Sequence, residues 1–263
     1  MTISDGGYQK PMSQHDVYNL DFYQHVDRLA YSSAQVIVPT LLGAISVDSV
    51  IDVGCGTGAW LAVFREQGVN NIVGIEGPWI LNYPEIIRIP FDKIIIVNDL
   101  CDDWNVSTRF DLALCLEVAE HLPYGFSRNL IERLVSLAPV VLFSAAVPGQ
   151  EGTYHVNEQW PEFWERLFGE HDYVLLDLLR PRIWQNPAVA WFYQQNVYLY
   201  VHRPILGTFP SLKDFYDRTR GCPLTLVHKK ILRPCKGLRA YLRILPRVAR
   251  ETLRRRYFGK SCG

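Results

Sequence analysis

Between residues 49 and 146 the chain holds five short runs that are apolar at nearly every position: "SVIDVG" (49–54), "NIVGIEG" (71–77), "KIIIVNDL" (93–100), "FDLALCLE" (110–117) and "VVLFSAA" (140–146). Runs without polar alternation predict strands buried on both faces, the signature of a parallel sheet covered by helices. The segments between them read as helices. "TGAWLAVFREQG" (57–68) ends on Gly68, as helices commonly do, and Leu130, Ile131, Leu134 and Leu137 form one apolar stripe. Ahead of the first strand, Tyr18, Phe22, Val26, Leu29 and Ala30 recur at helical spacing. A second helical stretch follows from Ser32 to about Ala44, with a bend expected at Pro39. "YVLLDLL" (173–179) and "NVYLYVHR" (196–203) predict two more strands, joined by the aromatic loop "PRIWQNPAVAWFYQQ" (181–195). The pattern predicts an α/β fold with a doubly wound, seven-stranded, mostly parallel sheet. That domain spans 46–205, after a leader (1–15) and cap helices within 1–45 and before an extension over 206–263.

Charge divides the same chain differently. Hydrophobic residues make up 48% and charged residues 21% of the 263, ample for a core, and the formal net charge is zero. From His228 onward, twelve Lys and Arg face one acid, Glu251, so the end of the chain carries +11 and the rest −11. An acidic body makes a general nucleic-acid binder unexpected, because its basic charge would lie on the folded surface. The six cysteines show no CxxC pair, which fits reduced thiols in a cytoplasmic protein. "MTISDGGYQKPMSQHD" has no signal-peptide core, and no run reaches the roughly 18 apolar residues of a membrane span.

The most specific signal is "VIDVGCGTGAW" (50–60), where a strand ends in Gly54, Gly56 and Gly58 and a helix follows at once. Glycines allow a sharp turn and close approach of a ligand, and the helix start presents free N–H groups. Gly54, Gly56 and Ala59 also satisfy the G-x-G-x-x-A dinucleotide pattern, and Glu76 at the end of the second strand fits a ribose-binding acid. Those two features leave a nicotinamide cofactor and another adenosine cofactor both open. Three residues separate them: Asp52 on the strand itself, Gly58 as a third alternate glycine, and Asp99 after the third strand as an acceptor for an adenine amino group. With these residues the chain resembles the class I S-adenosylmethionine-dependent methyltransferases over about residues 32–202. The resemblance implies a Rossmann-like methyltransferase fold with a reversed last hairpin, and S-adenosylmethionine as cofactor. It further implies that Asp52 and the glycine loop face the methionine moiety, Glu76 holds the ribose, Asp99 meets the adenine, and Glu117 borders the cofactor.

"CLEVAEHLP" (115–123) puts Glu117, Glu120 and His121 at the exit of the fourth strand, beside that crevice. Three roles compete for them: local hydrogen bonding that organises the loop, a hard-ligand set for Mg²⁺, or a catalytic base at His121 or Glu117. E-x-x-E-H here resembles the ubiquinone-pathway O-methyltransferases and the small-RNA 3′-end 2′-O-methyltransferases, which implies a divalent ion. "PGQEGTYHVNEQWPEFWERLF" (148–168) follows the fifth strand, across the crevice. Its second half predicts an amphipathic helix with Trp160, Phe163, Trp164, Leu167 and Phe168 on one face, capped by Asn157 or a neighbour. His155, on the loop before it, is the leading base, with His121 behind it, or else a fourth metal ligand.

"HVNEQWP" and "IWQNPAVAWFYQQN" together resemble a subgroup of bacterial methyltransferases associated with glycan and polysaccharide biosynthesis. This implies O-methylation of a sugar hydroxyl on a glycan or its nucleotide- or lipid-linked precursor, with Trp184, Trp191, Tyr193 and Gln195 offering ring faces and amides to the sugar. The alternatives are a small phenolic or isoprenoid acceptor, an RNA acceptor, and a cofactor-binding scaffold without catalysis. In the extension, Leu238, Tyr241, Leu242, Leu245, Val248 and Ala249 fall at helical spacing, with Arg239, Arg243, Arg247, Arg250 and Arg254 on another face. A basic amphipathic segment of this kind, 229–256, predicts peripheral contact with an anionic membrane on its cytoplasmic side.

Overall fold

The computed structural model describes residues 20–228 and residue 231. The chain divides into two compact units, Met1–Leu226 and Val227–Gly263. The leader, Tyr18 and, apart from Ile231, the basic segment 229–256 lie outside the described residues.

The chain's described part opens with one helix, α1 (Leu20–Leu42), where the sequence predicted two with a bend at Pro39. Pro39 sits in the last turn, so it removes only the bond to Gln35, whose carbonyl is at an exposed position. Ala34, Ile37, Val38 and Leu41 stay buried through that turn and hold one continuous helix onto the domain.

All seven predicted strands are present: β1 (Ser49–Val53), β2 (Asn71–Glu76), β3 (Ile94–Ile96), β4 (Leu112–Leu116), β5 (Val140–Ser144), β6 (Tyr173–Leu176) and β7 (Tyr198–His202). They form one sheet in the order β3-β2-β1-β4-β5-β7-β6, with β7 antiparallel to both neighbours and the other pairs parallel. Helices α2 (Ala59–Glu66), α3 (Ser127–Leu137) and α4 (Pro161–Gly169) complete the two covering layers. Alternate residues of the strands enter opposite cores, except at the edge strand β3, where Ile94 is buried and Ile95 and Ile96 are exposed. Val50, Leu112, Leu142 and Leu199 pack with α1 and α2, whereas Ile51, Ala113, Phe143 and Tyr200 pack with α3 and α4. That division is why the strands read as continuous apolar runs. Each large side chain buried this way contributes about 1.5–3 kcal/mol. The predicted stripe Leu130, Ile131, Leu134 and Leu137 is the buried face of α3.

Two local predictions change. Asn157 does not cap α4; the helix starts at Trp160 with Pro161 in its first turn, where a missing N–H costs nothing. The "aromatic loop" contains two short helices, α5 (Arg180–Ile183) and α6 (Trp191–Asn196), which its prolines and aromatic density concealed. A further helix, α7 (Pro210–Thr219), follows β7. No helix among the described residues is long and apolar enough to cross a membrane.

Candidate active site

β1, β2, β4 and β5 end along the same edge of the sheet, and a cavity of about 330 Å³ opens there. Asp52, Gly54 and Gly56 line its floor, Glu117, Glu120, His121 and His155 one side, and Phe22, Tyr23, Trp191 and Phe192 its walls. A second cavity of about 590 Å³ shares Tyr23, Gly54, Trp79 and Glu117 with it and reaches Glu76 and Leu100.

The glycine loop is shaped for two jobs. Gly56 has φ 56°, and a Cβ placed on it would meet nothing within 4 Å, so its backbone is open to the cavity. Gly58 is different: it does not line the cavity, and at φ 78° a Cβ would stand 2.7 Å from Cγ1 of Ile89. It lets the 86–90 segment pack on the loop rather than opening the loop further. Glu76 closes the loop from β2. Its Oε2 accepts from Gly56 N (2.6 Å), and its Oε1 accepts from Gly77 N (2.7 Å) and Trp79 Nε1 (2.9 Å). Burial pushes the Glu76 carboxyl above its usual range although these three N–H groups pull the other way. Asp52, 2% exposed, is pushed up to about 8 by burial and then by the charge of Glu76. Asp99 is not in the cavity: it lies beyond the short β3, exposed, with Oδ1 accepting from Cys101 N at 2.8 Å.

At the exit of β4 the chain makes a tight passage. Glu117 has φ 55°, Glu151 φ 56° and Tyr154 φ 56°, so three of the four non-glycine residues with positive φ among the described residues sit in the loops flanking this cavity. Strain of that kind persists where the surroundings enforce it, commonly at functional sites. Here the enforcement is visible. Glu117 N donates to Ser144 O (3.0 Å), while Asn196 Nδ2 (3.0 Å) and Gln150 Nε2 (3.0 Å) donate to its carboxylate. Val156 N and Asn157 N both donate to Glu120 O, and Asn157 Nδ2 donates to Ser127 Oγ (2.9 Å). Asn157 therefore ties the 150s loop to the β4 exit instead of capping α4.

The Glu117, Glu120, His121 set suggested by spacing is not the group whose donor atoms converge. Glu120, His121 and His155 bring theirs within 4.8 Å of one another, while Glu117 is engaged by the two amides. Both Glu120 oxygens are buried without a donor in hydrogen-bonding geometry. Burial, then the Glu117 charge, pushes its carboxyl well above the ordinary range. Burial, then His155, pushes the His121 imidazole down to about 4, so it is neutral at neutral pH. The His155 ring lies 5.0 Å from His121, edge to face, and its Nδ1 pairs with Glu158 Oε1 at 3.0 Å. Glu158 Oε2 accepts from Gly149 N, which fixes the carboxylate in turn.

Of the residues assigned to the sugar, Trp191 and Tyr193 line the cavity. Trp184 lines a separate cavity beside Asp177 and Arg180, and Gln195 is buried with its amide donating to Leu226 O. Glu158, Gln150, Asn196, Asp27 and Arg88 are site-shaping residues that sequence reasoning missed. Only the His155–Glu158 spacing in "HVNE" carried a local signal.

A family model described as "Methyltransferase domain" matches residues 24–180. No curated protein matches the sequence. Among solved structures, the chain is similar to the amino pentose methyltransferase CalS10 of Micromonospora echinaspora, solved with S-adenosylmethionine bound, at 12% identity over 74% of this chain and 100% of that one (TM-score 0.51). It is similar to the sugar N-methyltransferase KedS8 of Streptoalloteichus at 13% identity over 77% and 98% (TM-score 0.52). It is also similar to a putative O-methyltransferase of Nostoc punctiforme at 12% identity over 73% and 64% (TM-score 0.52). These identities speak for the fold alone, and the family match removes the nicotinamide alternative. The chain belongs to the methyltransferase-domain family, as an S-adenosylmethionine-dependent methyltransferase.

Proposed function

We propose that the enzyme methylates a hydroxyl of a sugar, on a glycan or on its nucleotide- or lipid-linked precursor. Charge carries the cofactor half of this reading. Asp52, Glu76, Glu117 and Glu120 surround the two adjoining cavities, and no Lys or Arg among the described residues lines either one. Enclosed carboxyls without a basic partner make a site for a cationic ligand. In this reading Asp52, Gly54 and Gly56 meet the methionine part with its sulfonium and ammonium, Glu117 borders it, and Glu76 takes the ribose hydroxyls. Gly58 shapes the loop, and Asp99 stays outside the contact set.

When bound, S-adenosylmethionine supplies an activated methyl group that leaves sulfur as the acceptor oxygen bonds to it. The chain must then align the acceptor and remove one proton, the second task worth roughly 10²–10⁴-fold. Glu158 holds Nδ1 of His155, which leaves Nε2 as the ring's acceptor for the hydroxyl proton. The Glu158 carboxylate then stabilises the imidazolium. Phe22, Tyr23, Trp191 and Phe192 offer ring faces, and Gln150 and Thr153 offer polar groups, a lining suited to a sugar. A radiolabelled-methyl screen over matched sugars, amino sugars and phenols tests this. Transfer confined to phenolic or isoprenoid acceptors would sink it.

The convergence of Glu120, His121 and His155 favours a second reading, a divalent cation at the acceptor side. The unpartnered Glu120 carboxyl and two imidazoles fit such an ion, and this donor set suits Mn²⁺ or Zn²⁺ better than the Mg²⁺ suggested by the motif. A bound ion would lower the pKa of an acceptor hydroxyl. Equilibrium dialysis of Mn²⁺, Zn²⁺ and Mg²⁺ against wild type and Glu120→Gln decides between the readings. The basic segment 229–256 is assigned to peripheral contact with anionic lipid.

A further inference from the structure

Helix α1 touches both loops assigned above to the cofactor. Asp27, 8% exposed, accepts from Thr57 Oγ1 at 2.6 Å. The same carboxylate takes a two-pronged contact from Arg88, Nε to Oδ1 at 2.6 Å and Nη2 to Oδ2 at 2.7 Å. Thr57 is the residue between Gly56 and Gly58, and its carbonyl accepts from Arg88 N at 2.8 Å. The Arg88 guanidinium lies 4.0 Å over the Tyr31 ring, and Tyr31 OH donates to Glu66 at the end of α2. One turn before Asp27, Tyr23 stacks on Trp79 with ring centroids 3.8 Å apart and 3° between planes. Trp79 is the residue whose indole N–H donates to Glu76. Phe22, Tyr23, Val26, Asp27 and Ala30 of this helix also line the 330 Å³ cavity.

We propose that Asp27 and Thr57 are positioning residues: they lock α1 onto the glycine loop, so that the cofactor floor and the acceptor wall assemble together. This rests on the reading that the glycine loop and Glu76 hold the cofactor. A buried hydroxyl-to-carboxylate bond assisted by charge is among the stronger hydrogen bonds, and here it restrains a loop built on three positive-φ glycines. Without it the loop keeps its fold but samples conformations that cannot take the ligand, and apparent affinity falls by the fraction lost.

The test is calorimetric titration of the full chain with S-adenosylhomocysteine, for wild type, Thr57→Val, Thr57→Ser, Asp27→Asn, the Thr57→Val/Asp27→Asn double variant, and Glu76→Gln. Thr57→Val keeps the shape and leaves the Asp27–Arg88 pair intact, so it serves even where Asp27→Asn does not fold. Thr57→Val and Asp27→Asn are each expected to weaken binding about tenfold, the double variant no further than the worse single one. Thr57→Ser is expected to stay within about twofold of wild type, with melting temperatures of Thr57→Val and Thr57→Ser alike. A shortfall that tracks melting temperature, or that Ser does not rescue, overturns the proposal in favour of plain structural support. Unchanged affinity in Thr57→Val and Asp27→Asn while Glu76→Gln loses binding overturns it and leaves the cofactor reading standing. Wild-type affinity in Glu76→Gln as well would instead overturn the cofactor reading on which it rests.

Discussion

In the proposed reading, where Asp52 meets the cofactor, Asp52 makes cofactor binding a proton-linked event. In the free protein its carboxyl is pushed up to about 8 by burial and Glu76, so it is mostly protonated at pH 7. A cation bound beside it favours the carboxylate, so binding expels the proton and affinity rises with pH until about 8. Below that value each pH unit is expected to weaken binding about tenfold, or about 1.4 kcal/mol, and at pH 7 roughly 0.9 proton leaves per ligand bound. Titration calorimetry at pH 6 and 7, in buffers of different ionisation enthalpy, reads the affinity slope and the proton count together. Asp52→Asn provides the reference, since any titration of the ligand itself is common to both proteins. A flat affinity between pH 6 and 7, or the same slope in Asp52→Asn, would refute the reasoning. The same shift acts on folding. A carboxyl raised in the folded state adds stability below its ordinary value of 3.8, and this is lost as pH climbs to about 8. Cofactor should therefore raise the melting temperature more at pH 8 than at pH 6.

Other outcomes follow from the same geometry. Glu158→Gln leaves the shape of the His155 support but removes its charge, and kcat is expected to fall about 10–100-fold with cofactor affinity unchanged; an equal loss of affinity would contradict a role on the acceptor side. Gly152→Ala would set a methyl 2.2 Å from Nε2 of His155, so activity should drop while the folded circular dichroism signal stays. Leu134→Ala, at a fully buried position of α3, should cost about 2–5 kcal/mol in urea unfolding. Ending the chain after Leu226 should abolish pelleting with anionic vesicles and spare cofactor binding; pelleting that persists would remove the role assigned to 229–256.

The sheet was legible because its central strands β1, β4 and β5 are buried at every position, a condition written into "SVIDVG" and "VVLFSAA" residue by residue. The glycine loop and Glu76 were legible for a related reason: a strand, a turn and a helix start are all local. Asp99 shows where local reasoning stops. β3 ends at Ile96, so Asp99 falls beyond the strand, exposed and accepting from Cys101 N, while its neighbour Leu100 lines the second cavity; no pattern in "KIIIVNDL" specifies that strand length. Glu117 shows the same for orientation. Its spacing from Glu120 and His121 would align all three on a helix, but φ 55° at Glu117 and the amides of Gln150 and Asn196 hold its carboxylate in their own network. Asn196 lies 79 residues away in sequence, and a partner at that distance leaves no trace in either segment.

Asn196 also dates the site within the life of the chain. It is the last residue of α6, one residue before β7, and among the described residues β6 has β7 as its only partner in the sheet. β6 is thus synthesised without a partner, and it joins the sheet only with the strand that comes after it. The five parallel strands can assemble as soon as residue 144 has emerged, but the carboxylate clamp at Glu117 and the wall at Trp191 and Phe192 cannot. Non-local closure of this kind is the slow part of folding. In the proposed reading a nascent or truncated chain would hold the glycine loop without the clamp and wall assigned to the acceptor, and methyl transfer would wait for the last hairpin to dock.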